Sequence, residues 1–229
     1  MIAIEARQLT KQYGNQLALN ALNLAIAPGQ VYCLLGQNGA GKTTTINLLL
    51  GFASPSSGEA RIMNQPAGSA GARVAYIPEV VQLYPQLSGL ENLDFFSRLA
   101  GHRHPASQLA ALLQKAGLQA EAHTQRVAGY SKGMRQKVGI AIALASQARV
   151  ILMDEPTSGL DPKATAEFTQ LVKQLANEGL TVLMATHDIF NAVQVGHRIG
   201  IMKSGRLVHE LDTADITADA LQQLYLETV

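Results

Sequence analysis

The chain has 229 residues, 47% of them hydrophobic and 15% charged, and its 18 basic and 17 acidic residues leave a formal net charge of +1. That length supports a sizeable apolar core, and so even a charge balance gives no basic footprint of the kind nucleic-acid binding uses. The single cysteine, Cys33, lies in an apolar run, which rules out a disulfide framework and reads as a small buried hydrophobe in a reducing compartment. No apolar stretch reaches the roughly 18 residues of a membrane span. The N-terminus, with Glu5 and Arg7, is unlike a signal peptide, so a soluble, cytoplasmic chain is expected.

Ile2 to Arg7 and Leu17 to Ile26 read as antiparallel strands on either side of the turn Tyr13-Gly14-Asn15. Val31 to Leu35 is a short, wholly apolar strand running into Gly36 to Gly41, and Thr43 to Leu50 reads as the helix behind it. Ala60 to Met63 and Val74 to Ile77 return to strand patterning. From Pro78 the character becomes helical. Ser88 and Glu91 have the spacing of a capping box before the amphipathic run Leu90 to Leu99, and Ser107 to Gly117 reads as a second helix with a glycine cap.

Farther on come helix Lys132 to Ser146, strand Val150 to Met153, helix Pro162 to Asn177 capped by Asp161, and strand Thr181 to Ala185. Ile199 to Met202 and Arg206 to Glu210 form a closing antiparallel pair, followed by a candidate helix, Ala218 to Leu226, shortly before the last residue, Val229. Alternating strands and helices predict an α/β fold with a mostly parallel sheet and antiparallel additions. The expectation is one domain over residues 1–229, with a helical subdomain at about 78–145 inserted in its core.

The run Gly36-Gln37-Asn38-Gly39-Ala40-Gly41-Lys42-Thr43 satisfies the full phosphate-loop pattern between a strand and a helix. Its glycines let backbone N–H groups converge on phosphate at a helix N-terminus, where Lys42 neutralises β/γ oxygens and the Thr43 hydroxyl can ligate Mg²⁺. Gly36, Asn38, Gly39, Ala40, Gly41, Lys42, Thr43 and Thr44 are therefore the candidate nucleotide-binding residues. Asp154 and Glu155 end an apolar strand, at the edge where parallel sheets gather ligands. Taken alone such a pair is most often a cap or a solvated turn. After a phosphate loop it reads as Asp154 in the Mg²⁺ shell and Glu155 as the base that takes a proton from attacking water.

Gly36 to Thr43, Tyr130 to Met134, Asp154-Glu155, Ser158 to Asp161 and His187 stand in the order and spacing of ABC transporter ATPase subunits, which the chain resembles over nearly its whole length. The resemblance implies a RecA-like phosphate-loop NTPase core, ATP and Mg²⁺ as ligands, and a head-to-tail homodimer. In it, Ser131 and Gly133 of one subunit contact ATP held by the other. Tyr13 then matches the adenine-stacking aromatic, Asp161 the loop that communicates across the dimer, and His187 a switch contacting the γ-phosphate. Integral membrane permease subunits are the implied partners at the cytoplasmic face of the inner membrane. An accessory periplasmic protein is compatible with such a system, and no nucleic acid is expected. A soluble ABC protein acting on ribosomes or DNA ends, or a phosphate-loop GTPase or kinase, remain the alternatives.

Two departures from the family pattern stand out. The usual signature is Leu-Ser-Gly-Gly-Gln, whereas this chain has Tyr130, Lys132 and Met134 at its first, third and fifth positions. Lys132 is unfavourable at a helix N-terminus unless a phosphate approaches it or water solvates it. Glu79 stands where most relatives carry a glutamine; it can bind a metal shell but cannot donate a hydrogen bond unless protonated. These substitutions resemble type 2 ABC exporters. Leu83 to Gly89 and Tyr130 to Gln136 are especially similar to NosF-like ATPases, tied to copper-site maturation, although the chain lacks their longer C-terminal extension. A membrane partner is expected to dock between the Glu79 loop and the Leu90 to Leu99 helix, at Leu83, Tyr84, Leu87, Phe95 and Phe96. These residues also fit ordinary core, the reading favoured for the two phenylalanines.

Overall fold

In the computed structural model, which describes residues 1–69 and 73–229, β1 (Ile4–Tyr13) and β2 (Gln16–Ile26) pair as an antiparallel hairpin. β1 runs six residues beyond the predicted end at Arg7. The alternation breaks there because Gln8 adopts a left-handed φ of 47° and the pairing register shifts between Ala6 and Leu9. Such a bulge moves later side chains to the opposite face, so a period of two fails to follow the strand through it.

β3 (Val31–Leu35) is buried at every residue, and α1 (Lys42–Leu50) follows it. β4 (Ser57–Ile62) and the two-residue β5 (Gln65–Pro66) join the hairpin in a four-stranded antiparallel sheet of order β2-β1-β4-β5. β6 (Val74–Ile77) belongs to a second sheet and leads into α2 (Gly89–Leu99) and α3 (Ala106–Lys115). The Ser88–Glu91 capping box is formed in both directions. α3 ends at Lys115, and Gly117 takes its left-handed turn two residues later.

α4 (Lys132–Ala145), β7 (Val150–Asp154), α5 (Pro162–Asn177) and β8 (Thr181–Thr186) alternate as expected. α6 (Ile189–Val195), β9 (Arg198–Lys203), β10 (Arg206–Asp212) and α7 (Ala218–Thr228) complete the chain. The second sheet has the order β10-β9-β3-β8-β7-β6 and is parallel except for β10.

This sheet is covered on both faces, which is why β3, β7 and β8 read as unbroken apolar runs. Val31, Cys33 and Leu35 join a core with residues of the helices, while Tyr32 and Leu34 join a second core with α1 and the antiparallel sheet. Burial pushes the Cys33 thiol up to about 12. No helix among the described residues is long and apolar enough to cross a membrane.

The two phenylalanines divide. Phe96 is half-buried against the helical core, but Phe95 is 40% exposed beside Tyr84, which corrects the core expectation for Phe95. Neighbouring helical residues project about 100° apart, so only one of the pair can face inward.

Candidate nucleotide-binding site

Parallel strands β3, β8, β7 and β6 are adjacent, so the segments after their carboxyl ends converge: the phosphate loop, His187, Asp154-Glu155 and Pro78-Glu79. Gly41 caps α1 at φ 109°, and a Cβ there would stand 2.8 Å from both the Ala18 carbonyl oxygen and Leu19 Cδ2. Only glycine permits both the angle and the approach. Lys42 is 6% exposed, donates from Nζ to the Gly36 carbonyl at 2.6 Å and lies 3.6 Å from Glu155 Oε1. Its ammonium is thus stored against the loop's own backbone.

Thr43 donates from Oγ1 to Asp154 Oδ2 at 2.9 Å. Burial, more than any other influence, pushes the Asp154 carboxyl above the usual aspartate range. The Thr43 hydrogen bond and Lys42 oppose that rise, and the nearby charges of Glu155 and Glu79 add to it. Glu155 has a left-handed φ of 46°, a conformation that costs about 1 kcal/mol or more in a residue with a side chain. Its Oε2 meets Nδ1 of His187 at 2.8 Å and accepts from the His187 backbone N–H at 3.3 Å.

Thr43, Asp154 and Glu79 offer only oxygen donors, the set that suits a hard cation such as Mg²⁺. Among the described residues no group of three or more His, Cys, Asp or Glu forms a metal cage by itself. A cation here would need phosphate and water oxygens to complete its shell, as Mg²⁺ commonly does.

A cleft of about 660 Å³ brings together Tyr13, Asn38, Gly39, Gly41, Lys42, Thr43, Thr44, Glu79, Asp154 and Glu155. Gly36 and Ala40 are buried beneath the loop, and His187 reaches the cleft through Glu155. Tyr13 is 46% exposed, with Lys11 Nζ 4.7 Å from its ring centre. Ser131, Gly133 and Asp161 lie outside this cleft and line a separate hollow of about 260 Å³. A further cleft of about 650 Å³, lined in part by Met63, Arg73, His102 and Glu178, contains none of the predicted residues.

Lys132 Nζ lies 3.6 Å from Glu79 Oε1, so the chain's two departures pair with each other. Tyr130, in place of leucine, is buried and donates its hydroxyl to the Ala122 carbonyl. Ser131 caps α4, accepting from the Met134 N–H at 3.3 Å, and Asp161 caps α5, accepting from the Ala164 N–H at 2.9 Å.

Several contributors went unread in the sequence. Gln16, Gln37 and Tyr76 also line the cleft; Gln37 occupies an unspecified position of the loop pattern, and Tyr76 reads only as a strand residue. Beneath the Glu155 loop, Asn191 accepts from Thr169 Oγ1 at 2.6 Å and donates to Thr157 Oγ1 at 3.4 Å. These polar side chains carry no local pattern, because the network joins residues distant in sequence.

Against known proteins, a family profile described as ABC transporter matches residues 19–158. The chain is 38% identical over 216 residues to the Nod factor export ATP-binding protein I of Paraburkholderia xenovorans, covering 91% of this chain and 70% of that protein. It is 36% identical over 214 residues to the bacitracin transport ATP-binding protein BcrA of Bacillus licheniformis, covering 91% and 69%. A dimeric ATP-binding cassette solved in a post-hydrolysis state with ADP and Pi superposes with a TM-score of 0.80 at 28% identity, covering 92% of this chain and 98% of that one.

Proposed function

This chain belongs to the ABC transporter family, and from that premise we propose that it is the ATP-hydrolysing subunit of an exporter, driving a separate membrane permease as a head-to-tail homodimer. The observation that carries the dimer is the division of the site. Phosphate loop, Asp154 and Glu155 share one cleft, whereas Ser131 and Gly133 open a different hollow on the same molecule. A second copy is needed to bring such a corner to the bound phosphates.

The residues divide the work by chemistry. Tyr13 offers a flat, exposed ring for the base, and the loop from Gly36 to Thr44 offers N–H groups at a helix N-terminus to the phosphates. Lys42, released from the Gly36 carbonyl, neutralises them. Glu155 takes the proton of the attacking water, with His187 holding the carboxylate at 2.8 Å. Thr43, Asp154 and Glu79 would hold Mg²⁺, which supplies charge neutralisation for the departing phosphate oxygens. Asp161 stands beside the Ser131 corner, where it can meet the opposite subunit.

Export is supported by the names of the relatives, Nod factor export and bacitracin transport, which favour it over a soluble factor for ribosomes or nucleic acid. The narrower copper-site reading rests on two sequence segments and draws no support from these relatives. The exposed Val80, Tyr84 and Phe95 offer the permease an apolar footing, which supports a peripheral place for the subunit at the cytoplasmic membrane face.

Glu155→Gln tests the proposal, since it should keep ATP binding, stop turnover and accumulate an ATP-loaded dimer in size exclusion with light scattering. A variant that stays monomeric at saturating ATP, or one that hydrolyses normally, overturns it.

A further inference from the structure

Glu79 is gripped from several sides. Its Oε1 accepts from Ser158 Oγ at 3.0 Å and lies 3.6 Å from Lys132 Nζ. Its backbone is held as well, because the side-chain amide of Gln136 donates to the carbonyls of Glu79 at 3.0 Å and Pro78 at 3.3 Å. Gln136 is fully buried, and its Oε1 has no partner among the described residues. A buried acceptor left unpaired is costly, so the amide sits there for what its nitrogen holds. One turn farther along α4, a Cβ on Gly139 would stand 3.2 Å from Val81 Cγ2. α4 and the Glu79 loop therefore pack as one body.

The pairing makes joint sense of the chain's two departures. A neutral glutamine at position 79 would need no cation, and a glycine at position 132 could supply none. The two ends of this body also face different places: Glu79 lines the phosphate-loop cleft, while Ser131 and Gly133, on either side of Lys132, line the other hollow.

Resting on the head-to-tail dimer proposed above, we infer that Lys132 is a positioning residue coupling the two nucleotide sites. Phosphate arriving at the partner-facing N-terminus of α4 competes with Glu79 for the Lys132 ammonium. That competition changes where the Glu79 carboxylate stands in its own cleft, so occupancy of one site alters ATP affinity at the other. Lys132 and Glu79 side chains are 28% and 52% exposed, and solvent screening keeps the coupling within about five-fold.

The test is steady-state ATP hydrolysis against ATP concentration for the wild type, Lys132→Met, Glu79→Gln, the double variant and Lys132→Arg. Expected are a Hill coefficient above one in the wild type, a lower one in Lys132→Met and in Glu79→Gln, no further change in the double variant, and retention in Lys132→Arg. Should Lys132→Met be too slow to assay, ATP-binding isotherms in a Glu155→Gln background give the same coefficient. Unchanged cooperativity in Lys132→Met, independent multiplication of the two single effects, or a non-cooperative wild type overturns the coupling and leaves the transporter reading standing. A wild type that binds ATP without ever dimerising overturns that reading instead.

Discussion

The Tyr130 hydroxyl fills the space that a Cβ on Gly89 would need, since the two atoms would stand 2.5 Å apart. Gly89 begins α2 and Tyr130 precedes α4, so this contact sets how closely the two helices' N-terminal ends approach. Gly89→Ala is therefore expected to destabilise the fold, and Tyr130→Phe to relieve part of that clash. By itself Tyr130→Phe costs about 1 kcal/mol, because the Ala122 carbonyl still accepts from the Gln125 N–H at 3.0 Å. Urea unfolding of both single variants and the double checks the coupling; additive costs would deny it.

What the sequence discloses and what it hides follow from the range of each interaction. β3, its loop and α1 are legible because one local pattern specifies a buried strand, a tight turn and a helix start. The Ser88–Glu91 capping box and the Asp161 cap are legible for the same reason. β1 beyond Arg7 is not, because a bulge at Gln8 breaks the alternation. α6 spans only seven residues, two turns at most, which is too short for helical periodicity to declare itself. The Glu79–Lys132 pair was visible as two oddities but not as partners, since only the folded chain brings β6 and α4 together.

Lys42→Ala and Ser131→Ala should separate binding from turnover. Removing the Lys42 ammonium is expected to weaken ATP binding by about ten- to a hundred-fold, the worth of a charge-assisted contact. Ser131→Ala leaves the phosphate-loop cleft untouched, so binding to one subunit persists while hydrolysis falls by about a hundred-fold or more. It also removes the α4 cap, costing about 1 kcal/mol of stability. Equilibrium ATP binding and single-turnover rates decide the matter; unchanged turnover in Ser131→Ala contradicts a composite site.

Asp154 ties stability to pH. Its carboxyl is held above the usual range, chiefly by burial, so the folded chain keeps this proton longer than the unfolded chain does. Below the ordinary aspartate range both states are protonated and the group contributes nothing. As pH rises, the unfolded chain ionises first and stability falls until the folded carboxyl ionises too; the loss then persists at neutral pH. Asp154→Asn should thus raise the Tm of nucleotide-free protein at pH 7, with the advantage shrinking on acidification. An advantage that grows as pH falls would refute this account of the carboxyl. With Mg²⁺ and ATP the ranking should reverse, because the variant has given up a metal-binding oxygen anion.

Phe95 rests edge-on against Tyr84, ring centres 4.9 Å apart, and is 40% exposed. Phe95→Ala is expected to change subunit stability by about 1 kcal/mol or less while weakening permease association by about 2 kcal/mol, near thirty-fold in Kd. Thermal unfolding and a titration of detergent-solubilised permease measure the two quantities. Undiminished association would move the docking surface elsewhere.

Cys33 lies in the middle of β3, fully enclosed, with its thiol pushed up to about 12, and the chain contains no other cysteine. The native protein should accordingly ignore maleimide and iodoacetamide while it stays folded. A thiol introduced on the exposed surface, away from Ser131 and the phosphate loop, would then take up a fluorophore alone, letting the opening and closing of two subunits be watched by light without first rebuilding the centre of the sheet.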